Sequence, residues 1–510
     1  MSDNMQAKIT EQTLDIISKA QTTGFNASTG LYSYDLSPEL LSLIPVVTPF
    51  RDFVSRVKST DGNKFAVWRA IMDATSSQPD PSAGFDQPAG QIITIEQDFQ
   101  AIYKPTGLGD SVSQDSVDLG LGFEDPFAVS IFNTLNNVLI GDDRKLFGAQ
   151  SFALARVGAP VLTGSTTGGS IAATTATYVA AAARTGSGYY YGSGNSQATV
   201  SAVNTAGSGS TNSITAIAPA VRGGVAYDWF QSANGATWYY YTTTTTNIVT
   251  MTSTIAANQV APVLSLPSLS VQWQGSVTGT KAAPIAPTVS LAADNGSANA
   301  NDYDGFLATL TGDYNATGQF VQPGTANANP SVFSSNNGAA LTLSGGTIPA
   351  IVQNLFLPIF NATYLSPTAL MMNAAQAYEI AVLVMGSPAA ATFLSTAAPD
   401  RVAATAGGRV GQIINPFAVG SNGGIEVSIE VHPAVPPGTI VARTDRVPFP
   451  NANIGNVLEY RALRDTNQFD YGVSRVAGVG GGPRRQYEIR SLGAFVNRAP
   501  VAMGVLANVG

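Results

Sequence analysis

Cysteine is absent, and histidine occurs once, at His432. Without cysteine the fold cannot rest on disulfides, and no thiolate metal site can form. Charge is scarce as well. Only 11% of residues are charged, against roughly 25% in an average soluble protein. A chain of 510 residues with so little charge points to a surface that other subunits cover in large part. The balance is acidic, at −8, which excludes bulk affinity for nucleic acid, because phosphate binding needs a basic footprint. No window approaches the 18 or so uninterrupted apolar residues of a transmembrane helix. Residues 1–12 are polar and hold no apolar signal core, so standard export is not expected.

What is present begins with one strong helix signal. Asp125 is a good N-cap, and Pro126 suits the first helical position, where a missing N–H costs nothing. Phe127, Ile131, Leu135 and Val138 recur at helical spacing, with Ala128, Phe132 and Leu139 widening the stripe. Arg144 and Lys145 sit where cations suit the helix dipole, and Gly148 can end the helix. The spacing predicts a rod over residues 126–148.

Ahead of this rod the chain reads as extended. Residues 9–20 and 36–44 have short helical patterns, separated by a Gly/Ser/Thr-rich arm too polar to fold alone. Residues 64–71 and 97–104 read as two strands flanking a polar, proline-rich tip at 76–88. Such a pair makes a poor domain alone, so a projecting hairpin that lies on something else is expected.

Between about 158 and 262 the composition turns to Gly, Ser, Thr, Ala and Tyr. Short β-type runs recur at 177–183, 198–203, 214–218, 225–230, 237–242 and 247–253. This spacing predicts a seven-stranded sandwich, and Tyr178, Tyr227, Trp229 and Trp238 argue against a solvated linker. Farther on, a helix is expected at 347–362, bent at Pro358, followed by a buried strand at 368–373 and a helix at 374–384. An alternating strand follows at 425–431, then strands at 439–442 and a final pair around 486–497.

No catalytic set emerges. His432 precedes a proline at a strand end and reads as structural. There is no Gly-x-Ser-x-Gly elbow. Gly478-Val479-Gly480-Gly481-Gly482-Pro483 has a proline where a dinucleotide fingerprint needs glycine. Asp294, Asp302 and Asp304 fall in a loop read as solvated, with Gly296 standing where a calcium ligand would be needed. Asn26, Asn315 and Asn361 open formal glycosylation sequons, which have no meaning without secretion. No catalytic, cofactor or metal residues are expected, and no enzyme.

Several local sequences then agree with one family. Val46-Val47-Thr48-Pro49-Phe50-Arg51 resembles the junction of arm and extended loop in actinobacteriophage capsid proteins, and residues 60–68 resemble the first strand of that loop. Residues 127–148, ending Leu146-Phe147-Gly148-Ala149, are similar to the spine helix. Asp302-Tyr303-Asp304-Gly305-Phe306-Leu307 looks like the "YDGL" segment. Residues 366–378 resemble a strand–helix signature, His432-Pro433 through Pro437-Gly438-Thr439 a "HP.LP.GT" stretch, and residues 485–500 the closing strands. Over about 400 residues the chain thus resembles tailed-bacteriophage major capsid proteins of the Hong Kong 97 type, an α+β fold with arm, extended loop, spine helix, peripheral and axial domains.

The resemblance implies an arm at 1–50 and the extended loop at 51–118. It implies the spine helix of the peripheral domain at 119–157, a mainly axial domain at 261–407 and returning strands at 408–510. The sandwich, 158–260, lies outside that plan and resembles immunoglobulin or fibronectin type III insertions; it is expected to point outward and to be removable over residues 164–258. The resemblance also implies hexamers and pentamers closing an icosahedral head around double-stranded DNA. It implies a separate scaffolding protein and a portal, minor or decoration proteins, non-specific DNA contact, no membrane, and assembly in the host cytoplasm. Some members crosslink a lysine to an asparagine; Lys58 and Lys64 lie near the loop, with no partner identified. An encapsulin-like compartment shares the fold and is the alternative, ahead of a surface adhesin or surface-layer protein.

Overall fold

The computed structural model describes residues 48–59, 64–75, 93–120, 125–173, 176–191, 200–204, 210–232, 239–254, 302–344, 347–385, 411–417, 426–445, 456–475 and 483–510. The arm before Thr48, the hairpin tip, Trp238, Asp294 and the glycine run before Pro483 lie outside them. The chain divides into two units. Of the described residues, one unit holds Thr48, 105–142 and 464–492, and the other holds 49–104, 143–463 and 493–510.

The long helix spans Pro126–Gly148, with both ends where the sequence places them. Asp125 caps it, its Oδ1 accepting the Phe127 N–H at 2.9 Å. In the first unit the helix lies on strand Pro483–Asn497. Phe127, Val138, Tyr487 and Ile489 form the core there, with Ile131 and Leu135 packed against it. The Tyr487 ring meets Phe127 edge-on at 5.3 Å. Its hydroxyl sits 2.6 Å from Ser130 Oγ and 2.7 Å from Thr134 Oγ1, which satisfies a polar tip in an apolar site. Only the narrow i, i+4 stripe is covered. Ala128 is exposed, and Phe132 remains 49% exposed.

A ten-residue strand, Lys104–Ser113, pairs with strand Pro483–Asn497 and is followed by the helix Gln114–Gly120. The sequence reading assigned these residues to the extended loop. Pro105, Gly107 and Gly109 hide the strand from any β-propensity count. The glycines are needed for close approach, since a Cβ on Gly107 would lie 2.6 Å from the Ile489 carbonyl oxygen.

The second unit is built on a six-stranded mixed sheet. Its order is Val332–Ser335, Gly504–Ala507, Ile440–Arg443, Ala369–Met372, Glu426–Val431 and Gln412–Ile414. Its central strands are buried on both faces and therefore read as unbroken apolar runs. Met371, Val441 and Val505 face one core, with Phe50, Phe147 and Phe306. Leu370, Met372, Ile440 and Leu506 face the other, with Ile351, Leu355 and Ile380.

The helix at 349–363 passes through Pro358 by a π turn, Val352–Phe356. Proline offers no N–H to the carbonyl four residues back, that of Asn354. Ser334 Oγ donates to that carbonyl oxygen at 2.7 Å. The chain meets the proline with a local widening and a side-chain donor.

The described residues between Val161 and Met251 form seven strands in two antiparallel sheets. Counted along the chain, the sixth, fifth, second and third form one sheet, and the seventh, fourth and first the other. Val179, Ala181, Tyr227 and Trp229 of the first sheet share one core with Ile214, Ala216, Val249 and Met251 of the second. A constant-type immunoglobulin domain instead groups its first, second, fourth and fifth strands. The partition here is different. Arg184 and Asp228 pair inside the four-stranded sheet at 2.7 Å, with side chains 2% and 0% exposed.

This seven-stranded body is bolted to its own unit. Arg222 Nη2 donates to the carbonyl oxygens of Leu310, Asn329 and Ser331 and to Ser331 Oγ, all within 3.2 Å. Val225 belongs to the core around Phe50. Asn247 Nδ2 donates to Asn337 Oδ1 at 3.3 Å, and Tyr190 donates to the Pro433 carbonyl at 2.8 Å. These contacts predict that excising residues 164–258 gives insoluble protein, in place of the clean removal expected from sequence. Arg222→Met strips several buried oxygens of their donor at once and should cost about 2–4 kcal/mol, read as a lowered denaturation midpoint in urea.

Candidate functional site

The extended hairpin pairs strand Phe65–Thr75 with Ile93–Ile102 in antiparallel register from Phe65↔Ile102 to Thr75↔Ile93. Among the described residues it forms a sheet of two strands. Its root is seated on one face. Trp68 stacks on Phe99 at 5.8 Å, and Phe99 meets Phe320 and Tyr314 at 6.2 and 5.3 Å. Gln100 N–H donates to the Gly318 carbonyl at 3.1 Å. The opposite face carries Val67, 54% exposed, and Arg69, which bridges Asp98 and Glu96 in solvent. The Arg69 hydrogen bond holds the Asp98 carboxyl below its usual range.

A short helix, Pro49–Phe53, precedes the hairpin, and Ser55–Lys58 then pairs parallel to residues 459–462. Phe50 fills a box of Phe147, Phe306, Phe495 and His432, all with ring centroids between 5.3 and 6.1 Å away. Phe53 lies under the Arg443 guanidinium at 3.6 Å. Arg443 in turn reaches Glu430 and Asp445, each at 2.7 Å.

His432 is a core residue. Its side chain is 2% exposed, and Nε2 lies 3.2 Å from Asp143 Oδ2. Nδ1 accepts the Ala434 N–H at 3.0 Å, which places the ring proton on Nε2, facing the carboxylate. Asp143 Oδ1 accepts the Arg51 N–H at 2.8 Å. The contacts of this pair tie together the long helix, the Phe50 helix and the turn after strand Glu426–Val431.

Asp302 and Asp304 correct the reading of a solvated loop. Asp302 is buried and pairs with Lys145 at 2.8 Å. Asp304 Oδ1 accepts the Ser151 N–H at 2.9 Å, and desolvation pushes its carboxyl up to about 6. The loop is an internal fastening for the end of the long helix. Sequence could not show it, because a buried acid and a solvated one have the same pattern until the lysine partner is placed. Asn315 spends its side chain on its own turn, Oδ1 accepting the Thr317 and Gln319 N–H groups. Among the described residues, no group of three or more His, Cys, Asp or Glu side chains could hold a metal. No helix among them is long and apolar enough to cross a membrane.

Two substitutions probe this arrangement. Gly318 has φ +78°, and a Cβ there would fall 1.9 Å from the Asp98 carbonyl oxygen. Gly318→Ala should therefore unseat the hairpin root, read as faster proteolysis between the two strands. Gly324→Ala, at φ +83° with nothing within 4 Å, should cost only the left-handed penalty of about 1–2 kcal/mol. His432→Ala leaves Asp143 buried against a single backbone donor and empties the wall of the Phe50 box; a loss of about 3–5 kcal/mol is expected in chemical denaturation.

No family model matches the chain, and no curated protein matches it in sequence. Solved structures do resemble it along nearly its whole length. The capsid of a native GTA particle is 8% identical, with 95% of this chain and 98% of that chain covered, at a TM-score of 0.40. The capsid of Myoviridae phage XM1 is 9% identical, with 94% and 100% covered, at 0.38. The cyanophage A-1(L) capsid is 11% identical, with 94% and 98% covered, at 0.39. Each of these three solved structures is a capsid.

Proposed function

We propose that this chain is a major capsid protein of the Hong Kong 97 type, a structural subunit whose copies close a shell around double-stranded DNA. The observation that carries the proposal is the hairpin. It is ten and eleven residues long on its two sides, it pairs with no third strand among the described residues, and its root has one apolar face seated and one face open. Two-stranded ribbons are at best marginal in water, so a long one is stable where it lies on a neighbour.

Two further features support the same reading. Large apolar side chains stand exposed in the first unit: Leu119 at 74%, Phe132 at 49%, Tyr471 at 60% and Val473 at 56%. The local resemblances from Val46 to Arg51, at residues 127–148 and at residues 302–307 fall in the family's order. Many weak contacts among identical copies then sum through symmetry and multivalency. The seven-stranded body is an addition to that plan, and hexamers, pentamers, scaffold, portal and decoration partners follow from the same proposal.

The test is negative-stain electron microscopy of the expressed protein, alone and with its candidate scaffold, together with nucleic-acid and protein analysis of any particles. Closed shells or six-fold rings are expected. Shells carrying one co-purifying enzyme in place of DNA would move the assignment to an encapsulin-like compartment. Monomers under every condition would end it.

A further inference from the structure

A tight turn at residues 336–339 is sewn to the strand Gly504–Ala507 and to the residues that follow it. Asn337 and Gly338 both have positive φ, 49° and 72°. The Ala339 N–H closes the turn on the Asn336 carbonyl at 3.0 Å, a geometry that an Asn-Gly pair suits well. The Asn336 N–H donates to the Ala507 carbonyl at 2.9 Å, the Gly338 N–H to that of Asn508 at 2.7 Å, and the Gly510 N–H to that of Ala339 at 3.0 Å. Asn337 is exposed, and its Oδ1 accepts from Ser335 Oγ at 3.2 Å and from Asn247 Nδ2 at 3.3 Å. A Cβ on Gly338 would lie 2.8 Å from Ile248 Cδ1, so the turn presses on the last strand of the seven-stranded body.

We infer that Asn337 is a site of spontaneous deamidation, gated by residues 507–510. Asparagine is chemically labile, most of all ahead of glycine, whose amide nitrogen has no neighbouring Cβ to shield it. The Gly338 nitrogen gives its proton to solvent and bonds to Asn337 Cγ. The bond from Cγ to the side-chain nitrogen breaks, ammonia leaves with a proton from water, and a cyclic succinimide remains. Water then opens the ring at either carbonyl, giving aspartate or isoaspartate. Two conditions for this are met. Negative charge gathers on Oδ1 during the attack, where two donors already point, and the exposed turn admits water. The third is withheld, because the Gly338 N–H is committed to the Asn508 carbonyl. Reaction waits until that bond opens.

The products differ in consequence. Aspartate keeps an acceptor for Asn247. Isoaspartate adds one carbon to the main chain, so the turn cannot re-form all its bonds to residues 507–510 while still meeting Asn247. Asn247 is buried and helps bolt the seven-stranded body to its unit, so the change is a one-way loosening of that attachment. It is a property of the single chain and does not depend on shell assembly.

Peptide mapping of the full chain, aged in mildly alkaline buffer in its native state and in urea, tests the inference. Fragmentation should place the exchange of amide for acid at Asn337, not at Asn336, with isoaspartate as the larger product. The native rate should be at least about tenfold below the rate in urea. Ending the chain at Ala507 removes the Asn508 carbonyl and should raise the native rate about tenfold. No conversion at Asn337 in urea, equal native and urea rates, or a native rate indifferent to the truncation would each overturn the inference. Should the shortened chain not fold, hydrogen exchange at the Gly338 amide of the full chain decides. Small additions of urea, below the unfolding transition, should raise exchange and deamidation by the same factor, and deamidation that stays constant while exchange rises refutes the gate.

Discussion

The Phe50 box is the constraint on which the rest of the second unit depends. Phe147 comes from the last turn of the long helix, Phe306 from the helix Phe306–Thr311, Phe495 from the end of a fifteen-residue strand, and His432 from the turn beyond strand Glu426–Val431. Four distant segments thus converge on one ring that is 1% exposed. Phe50 is also the point from which the chain sets out toward the hairpin. Only five residues, 54–58, take the chain from the short helix to the end of the parallel pairing with residues 459–462. A projecting element can be long and thin only if its root is held this firmly.

Much of the architecture was legible in the sequence, for identifiable reasons. The long helix announces itself by cap, proline and periodicity, and each of those is local. The strand Ala369–Met372 reads as buried because a sheet covered on both faces needs unbroken apolar residues. The runs at 177–183, 214–218 and 225–230 are visible because large side chains alternate against small ones. What stayed hidden depends on partners. Strand Leu458–Arg475 is eighteen residues long, but beyond Leu463 it is largely exposed and mixes Arg464, Asp465, Asn467 and Asp470, so no burial period marks it. The first strand of the seven-stranded body, Val161–Ser165, has an exposed alternate face and carries too little apolar signal to be seen. The fastening at Asp302 and Asp304 needed Lys145, 157 positions away.

The scarcity of charge, which first suggested a covered surface, has a second aspect. Many of the charges present are used inside. Arg184 with Asp228, Arg443 with Glu430, and Lys145 with Asp302 each join separate segments of the chain. Arg222 does the same through carbonyl oxygens. Such buried pairs are weak sources of net stability, since desolvation offsets the attraction. They are stringent about geometry, however, because a misplaced segment leaves a charge enclosed without its partner. In a chain this poor in other distinguishing features, with long tracts of Gly, Ser, Thr and Ala, apolar packing alone would permit many registers. The internal charges remove the alternatives.

The same reasoning bears on the seven-stranded body. Two all-β sheets rich in alanine and threonine could slide against their surroundings at little cost. The Arg222 clamp, the Asn247–Asn337 bond and the seating of Val225 prevent that, and each sits on the side of the body that faces its own unit. Its remaining surface presents an uncharged face, where Thr163, Thr215 and Thr250 lie side by side across three strands. A rigid attachment on one side and an uncharged, hydroxyl-lined sheet on the other make the body an extension of the subunit, held in a fixed orientation, and not a tethered appendage.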